Sequence, residues 1–143
     1  MSMARRIGVP TPIIRDVTGD TLVMERVEGP LLKEALTTAN VREAGRMVGR
    51  LHAAGIIHGD LTTSNIIVRD GTSVLIDFGL SVVSSDIEAR GVDLHVFFQT
   101  LESTTPDHRP FQEAFTEGYA SEFPGYADVL AREQEIERRG RYL

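Results

Sequence analysis

Residues 58–79 read His58-Gly59-Asp60-Leu61-Thr62-Thr63-Ser64-Asn65-Ile66-Ile67-Val68-Arg69-Asp70-Gly71-Thr72-Ser73-Val74-Leu75-Ile76-Asp77-Phe78-Gly79. Two short β-branched runs, Ile66 to Val68 and Val74 to Ile76, flank Asp70-Gly71. That dipeptide is a strong signal for a tight turn, so the runs form a small hairpin. Asn65 stands at the start of the hairpin and Asp77 at its end, which brings both side chains to one mouth. Asp60 lies on the loop before them and can join them. An amide and a carboxylate together, with a second carboxylate nearby, suit oxygen coordination of Mg²⁺ and acceptance of a proton. The plain alternative is an Asp-capped turn followed by a polar loop.

Upstream, Asn40 is a good helix N-cap. Val41, Ala44, Val48 and Leu51 follow at spacings of three, four and three, one apolar face of a helix that ends at Gly55. Gly45 and Gly49 sit inside that helix and would permit close packing of a neighbour. His52 reads as a packed or surface helix residue. His58 organises the loop through hydrogen bonds, since two histidines without further ligands make a poor metal site. Pro30 to Leu36 reads as a short helix with Pro in its first turn. Ile13 to Val17 and Thr21 to Val27 read as strands joined by a turn at Thr18-Gly19-Asp20, and Ile7 to Pro12 as a loop. Met1 to Arg6 is short and basic, suited to the end of a helix.

Downstream, Leu80 to Ser85 is a short polar link, and Asp86 starts a helical pattern. Val92, Val96 and Phe97 lie on one side, with Leu94, Phe98 and Leu101 close by, so this helix is apolar almost all round and central. Asp93 inside it is unusual. Pro110 to Ser121 forms a helix with Phe111, Phe115 and Tyr119 as a core stripe, and Phe123-Pro124-Gly125 breaks it. Tyr126 to about Arg139 is a last, largely solvated helix. The basic tail bearing Arg138, Arg139 and Arg141 reads either as a frayed terminus or as a contact for RNA phosphate or a partner protein.

At 143 residues the chain has enough length for one core. Hydrophobic content of 41% and charged content of 25% are ordinary globular values. The absence of cysteine excludes a disulfide framework and a thiolate metal site. No apolar run approaches the roughly 20 residues of a membrane span, and the expected location is cytoplasmic. A formal charge of −6 gives no general attraction to nucleic acid. Basic charge is nearly all arginine; the one lysine is Lys33.

Asp60, Asn65 and Asp77-Phe78-Gly79, at these spacings after His58-Gly59, resemble the catalytic loop and metal-binding motif of protein kinases. The resemblance implies that Asp60 accepts the substrate hydroxyl proton and that Asn65 and Asp77 hold Mg²⁺ on the phosphates of ATP. Thr62 or Ser64 would position the γ-phosphate or the acceptor. Leu22 to Gly29 resembles the strand leading into the hinge between kinase lobes. Met24 would then be the gatekeeper beside the adenine, and the Glu25 carbonyl and Val27 amide would bond its edge. An ordinary edge strand ending in a Gly-Pro turn is the alternative. Kinases also place an Asp in their central helix that bonds the catalytic-loop backbone. Asp93 is either that residue or a solvent-facing Asp.

Over its whole length the chain is similar to the atypical serine/threonine kinase family of the KEOPS complex, within the RIO-like, protein-kinase-like superfamily. The shared pieces are Gly8-Val9-Pro10-Thr11-Pro12, the hinge, the loop from His58 to Asn65, Ile76 to Ser81, the Val92-Asp93-Leu94 helix, Glu117-Gly118-Tyr119 and the Arg138-Arg139-Gly140-Arg141 tail. The resemblance implies an α+β, protein-kinase-like fold: a hinge plus a mainly helical C-terminal lobe with a small catalytic-loop hairpin. Residues 1–29 would be the end of the N-lobe strands and the hinge, and 30–143 the C-terminal lobe with its basic tail. It further implies an ATP-dependent kinase or ATPase that supports tRNA threonylcarbamoyladenosine modification, partnered by the tRNA-modifying transferase and other KEOPS subunits. The tail arginines would lie near the tRNA.

Four departures matter. Gly59 stands where kinases usually carry Arg, and no long activation segment follows Gly79, so switching by loop phosphorylation is not expected. No glycine-rich phosphate loop precedes the hinge. Lys33 lies after the hinge, so the lysine that clamps the α/β-phosphates is expected outside this sequence, and the chain alone would be weakly active or inactive. Two rivals follow. A small-molecule kinase of the aminoglycoside or choline type also favours His-Gly-Asp but needs a larger helical insertion. A non-catalytic scaffold for the transferase would not need Asp60, Asn65 and Asp77.

Overall fold

The computed structural model describes residues 2–12, 14–18, 21–24 and 26–141, with side chains for 3–12 and 26–140. A short helix α1 (Ser2–Arg6) precedes an antiparallel pair, β1 (Ile14–Thr18) and β2 (Thr21–Met24), in which Val17 pairs with Leu22. The second strand therefore stops at Met24, short of the expected Val27. Glu25 and the Gly19-Asp20 part of the expected turn lie outside the described residues, as do the side chains of β1 and β2.

Residues 30–36 do not form the expected helix. They carry a single 3₁₀ turn, Leu32–Glu34, because the chain before it is taken up by sheet contacts. Pro30 O accepts from Val68 N at 2.8 Å, and Leu31 bridges Ile67 in antiparallel fashion. Helix α2 (Thr38–Ala53) starts earlier than expected: Thr37 is its cap, and its hydroxyl accepts from Asn40 N at 3.0 Å. The Asn40 side chain instead donates to Ala35 O at 2.9 Å.

The predicted apolar face is right. Val41, Ala44, Val48 and Leu51 are fully buried. Each Val or Leu so buried contributes about 1.5–3 kcal/mol. Helix α2 packs along α4 (Arg109–Glu122) at unusually close range. A Cβ on Gly45 would meet the Phe115 carbonyl, and one on Gly118 would meet the Arg42 carbonyl. Any larger residue at either place would force the helices apart.

The hairpin is β4 (Ile66–Arg69) with β5 (Thr72–Leu75), in the register Ile66 to Leu75 and Arg69 to Thr72. Asp70 and Gly71 have φ of 52° and 76°, the paired positive values of a type I′ turn. The link after Gly79 contains a feature the sequence did not announce. β6 (Val82–Val83) pairs with β3 (Ile56–Ile57), tying the link to the strand before His58.

Helix α3 (Ile87–Thr104) is capped by Asp86, whose carboxylate accepts from Glu88 N at 3.0 Å. It is central, but Val92 is exposed, so one side faces water. Phe97 stacks on Phe115 with ring centres 4.4 Å apart, joining α3 to α4. Helix α5 (Tyr126–Arg141) lies along α3 and includes Arg138 to Arg141 of the tail; residues 142–143 lie outside the described residues. Among the described residues no helix is long and apolar enough to cross a membrane.

Candidate active site

The loop from His58 to Asn65 is held by Asp93. His58 N donates to Asp93 Oδ2 at 2.9 Å, and Gly59 N donates to Oδ1 at 3.0 Å. Asp93 is 2% exposed, so of the two readings the solvent-facing one is excluded. A buried carboxylate with several charge-assisted donors is a strong anchor for a loop that crosses the molecule.

Gly59 explains its own identity. Its φ is 92°, and a Cβ there would collide with the Leu80 carbonyl. An arginine at this position would need both a different backbone and a displaced link after Gly79.

His58 connects the loop to the hairpin. Asp60 N donates to His58 Nδ1 at 3.1 Å, which leaves Nε2–H to donate to Ile76 O at 2.8 Å. The imidazole tautomer is thereby fixed. Its ring also packs on Phe78, with centres 4.7 Å apart. One buried histidine so ties the residue at Asp60 to the residues on either side of Asp77, as the sequence anticipated for His58.

Asn65 starts the hairpin. Its Nδ2 donates to Asp60 O at 2.8 Å and to Asp60 Oδ2 at 3.1 Å, while Ile76 N donates to Asn65 O at 3.0 Å. Both Asp60 partners are acceptors, so the amide orientation follows from the network. The amide oxygen is left as the part of Asn65 that could meet a cation. Asp77 follows Ile76, is exposed and has φ of 59°, a left-handed conformation that Asp tolerates and most residues avoid. Oxygen donors from one amide and one carboxylate suit Mg²⁺, which keeps waters and substrate phosphates for the rest of its shell. Among the described residues no group of three or more His, Cys, Asp or Glu side chains is placed to hold a metal ion.

Thr62 and Ser64 lie on the same loop, half-buried, with Ser64 N donating to Thr62 Oγ1 at 3.3 Å. Thr63 between them is buried and points the other way, taking Thr100 Oγ1 of α3 at 3.2 Å through its N–H. Val27 is half-buried; the Met24 side chain and all of Glu25 lie outside the described residues. At the other end, Arg139 pairs with Glu88 at the start of α3, and that contact holds the Glu88 carboxyl below its ordinary range. A cleft of about 900 Å³ between α3, α4 and α5, lined by Glu102, Glu133 and Arg138 among others, includes no residue of the 58–79 stretch.

Two buried side chains, read in the sequence for packing, also carry hydrogen bonds that the sequence did not show. His52 Nε2 meets Asp93 Oδ2 at 2.9 Å, and His52 Nδ1 meets Tyr119 Oη at 2.7 Å. Both sit on apolar stripes. A polar tip within such a stripe is the available signal, since a buried hydroxyl or imidazole requires a partner.

With this geometry in view, the RIO-domain family is found to match residues 1–93. The chain belongs to the RIO-domain family. A probable bifunctional tRNA threonylcarbamoyladenosine biosynthesis protein of Methanoculleus marisnigri is 64% identical over 143 residues, all of this RIO chain and 27% of that protein. A probable serine/threonine-protein kinase BUD32 homolog of Archaeoglobus fulgidus is 46% identical, over all of this chain and 73% of that protein. The chain thus spans about a quarter of the bifunctional relatives it matches and most of the shorter one. Among solved structures, WaaP in complex with acyl carrier protein superposes with a TM-score of 0.67 at 18% identity, over 96% of this chain and 74% of that one. The fold is kinase-like, mainly helical with small strands.

Proposed function

We propose that this RIO domain supplies the catalytic loop and metal-binding motif of an ATP-dependent kinase or ATPase. The observation that carries the reading is the pairing of Asn65 with Asp60. The Asn65 amide nitrogen is committed to Asp60, which leaves its oxygen as the atom that would meet a cation together with Asp77. Asn65 and Asp77 would hold Mg²⁺, which neutralises phosphate charge when bound. Asp60 would accept the proton of a serine hydroxyl or orient a water. Thr62 or Ser64 would position the γ-phosphate or acceptor. Met24, Glu25 and Val27 would line the adenine, with residues 1–29 as the end of the N-lobe and hinge and 30–143 as the C-terminal lobe. The phosphate-clamping lysine would come from outside these 143 residues.

The bifunctional relatives support a wider role: ATP turnover in aid of tRNA threonylcarbamoyladenosine formation, with the tRNA-modifying transferase as partner. Arg138 and Arg141 are the tail residues proposed to face tRNA phosphates; the Arg139 charge is already met by Glu88. The test is Mg²⁺-dependent ATP turnover and tRNA modification by the full-length polypeptide carrying Asp60→Asn or Asp77→Asn. Either change should lower both by about 100-fold or more. Unchanged turnover in both variants overturns the assignment, and undiminished tRNA modification with turnover abolished would favour a scaffold.

A further inference from the structure

The geometry points to Tyr119 as a positioning residue for the loop that carries Asp60: its hydroxyl orients His52, and His52 orients the Asp93 carboxylate that receives the loop amides. This rests on the proposed phosphoryl chemistry for its consequence in turnover, but not for its structural content.

Four hydrogen bonds form the connection. Tyr119 Oη lies 2.7 Å from His52 Nδ1. His52 Nε2 lies 2.9 Å from Asp93 Oδ2. The same Oδ2 receives His58 N at 2.9 Å, and Oδ1 receives Gly59 N at 3.0 Å. Tyr119 and His52 are fully buried, and Asp93 nearly so.

The direction of each bond follows from the chemistry. A carboxylate offers only acceptors, so His52 must present Nε2–H to Asp93. In a neutral imidazole Nδ1 is then an acceptor, and only a donor can satisfy it. The Tyr119 O–H is that donor. Burial pushes the Tyr119 phenol well above its ordinary value, so the proton stays available. The Asp93 carboxylate thus sets the His52 tautomer, and the Tyr119 hydroxyl satisfies Nδ1 and fixes the orientation of the ring; without it the buried ring is held from one side only. Asp93 with a mis-set His52 is free to rotate, and the amides of His58 and Gly59 lose their fixed receptor. Asp60 lies one residue beyond.

Packing separates this role from a simple core role. The Tyr119 ring stacks near Phe115 and meets Phe123 edge-on, with ring centres 6.1 and 5.6 Å away. Tyr119→Phe keeps those contacts and removes only the hydroxyl. His52→Gln keeps an N–H that can reach Asp93 and removes the ring whose orientation Tyr119 fixes.

The experiment compares Tyr119→Phe, His52→Gln and the double variant in the full-length polypeptide. In Tyr119→Phe the kcat of Mg-ATP turnover should fall about tenfold, with the KM for ATP unchanged. Amide hydrogen exchange of the 56–61 segment should quicken by a similar factor, while α4 exchanges as before. Adding Tyr119→Phe to His52→Gln should change neither readout further. Wild-type exchange in Tyr119→Phe, or an equal added loss in the His52→Gln background, overturns the inference. Absence of Mg-ATP turnover in the wild type would count against the functional reading, and the exchange comparison would still decide the role of Tyr119.

Discussion

Asp93, on the central helix, receives the backbone N–H groups of His58 and Gly59, one on each carboxylate oxygen. Asp93→Asn replaces one acceptor by an NH₂ that must face a donor. A buried N–H is left without a partner, at a cost of about 3 kcal/mol. Urea unfolding should show a lower midpoint with an unchanged slope. A loss below about 0.5 kcal/mol, the scale of an ordinary surface change, would contradict the anchoring role.

Gly59→Arg restores the residue most kinases carry, and it should harm this protein. The backbone there is left-handed, and the Leu80 carbonyl occupies the space of a Cβ. Strain of this kind costs about 1–3 kcal/mol. Thermal unfolding should drop by several degrees with no gain in turnover. Equal or improved stability would mean that the link after Gly79 moves aside without cost.

Much of this arrangement was legible in the sequence, for identifiable reasons. Asp70-Gly71 announced its turn because two consecutive positive φ values demand such residues. Val41, Ala44, Val48 and Leu51 announced a buried face because their spacing matches one side of a helix. Asp86 announced the start of its helix. Periodicity marked Asp93 only as an oddity, and the kinase resemblance left it either the loop anchor or a solvent-facing Asp, because spacing does not say whether a buried acid finds donors 34 and 35 residues away. The β6 strand was hidden because Val82 and Val83 are both exposed, so no alternation marks them. Residues 30–36 misled because Pro30 is as compatible with a strand bridge as with a first helical turn. His52 and Tyr119 were read as packing because their partners are 41 and 67 residues away in the chain.

Glu133 should give the fold a measurable pH dependence. It is 6% exposed, and burial pushes its carboxyl up; nearby His95 partly opposes this and Glu137 adds to it. The folded state thus holds a proton that the unfolded state releases. That contribution is fully present below the ordinary value near 4.5 and is lost as pH rises through the folded value. Glu133→Gln should therefore be more stable than wild type at pH 7, by about 1 kcal/mol, with the difference closing at pH 4. Glu122 has the opposite sign, because its hydrogen bond with Arg50 lowers its carboxyl, and its contribution is lost as pH falls. A Glu133→Gln variant that is less stable at pH 7 than at pH 4, relative to wild type, would contradict this reading.

The most direct measurement is calorimetric titration of ATP into the full-length polypeptide, with and without Mg²⁺, beside its Asp77→Asn variant. Asn tolerates the left-handed backbone at this position as Asp does, so the substitution removes charge and leaves the hairpin intact. Binding that is tightened by Mg²⁺ in the wild type, and insensitive to Mg²⁺ in Asp77→Asn, is the predicted result. Equal Mg²⁺ dependence in both proteins would contradict the assignment of Asp77 and Asn65 as the metal-holding end of the hairpin.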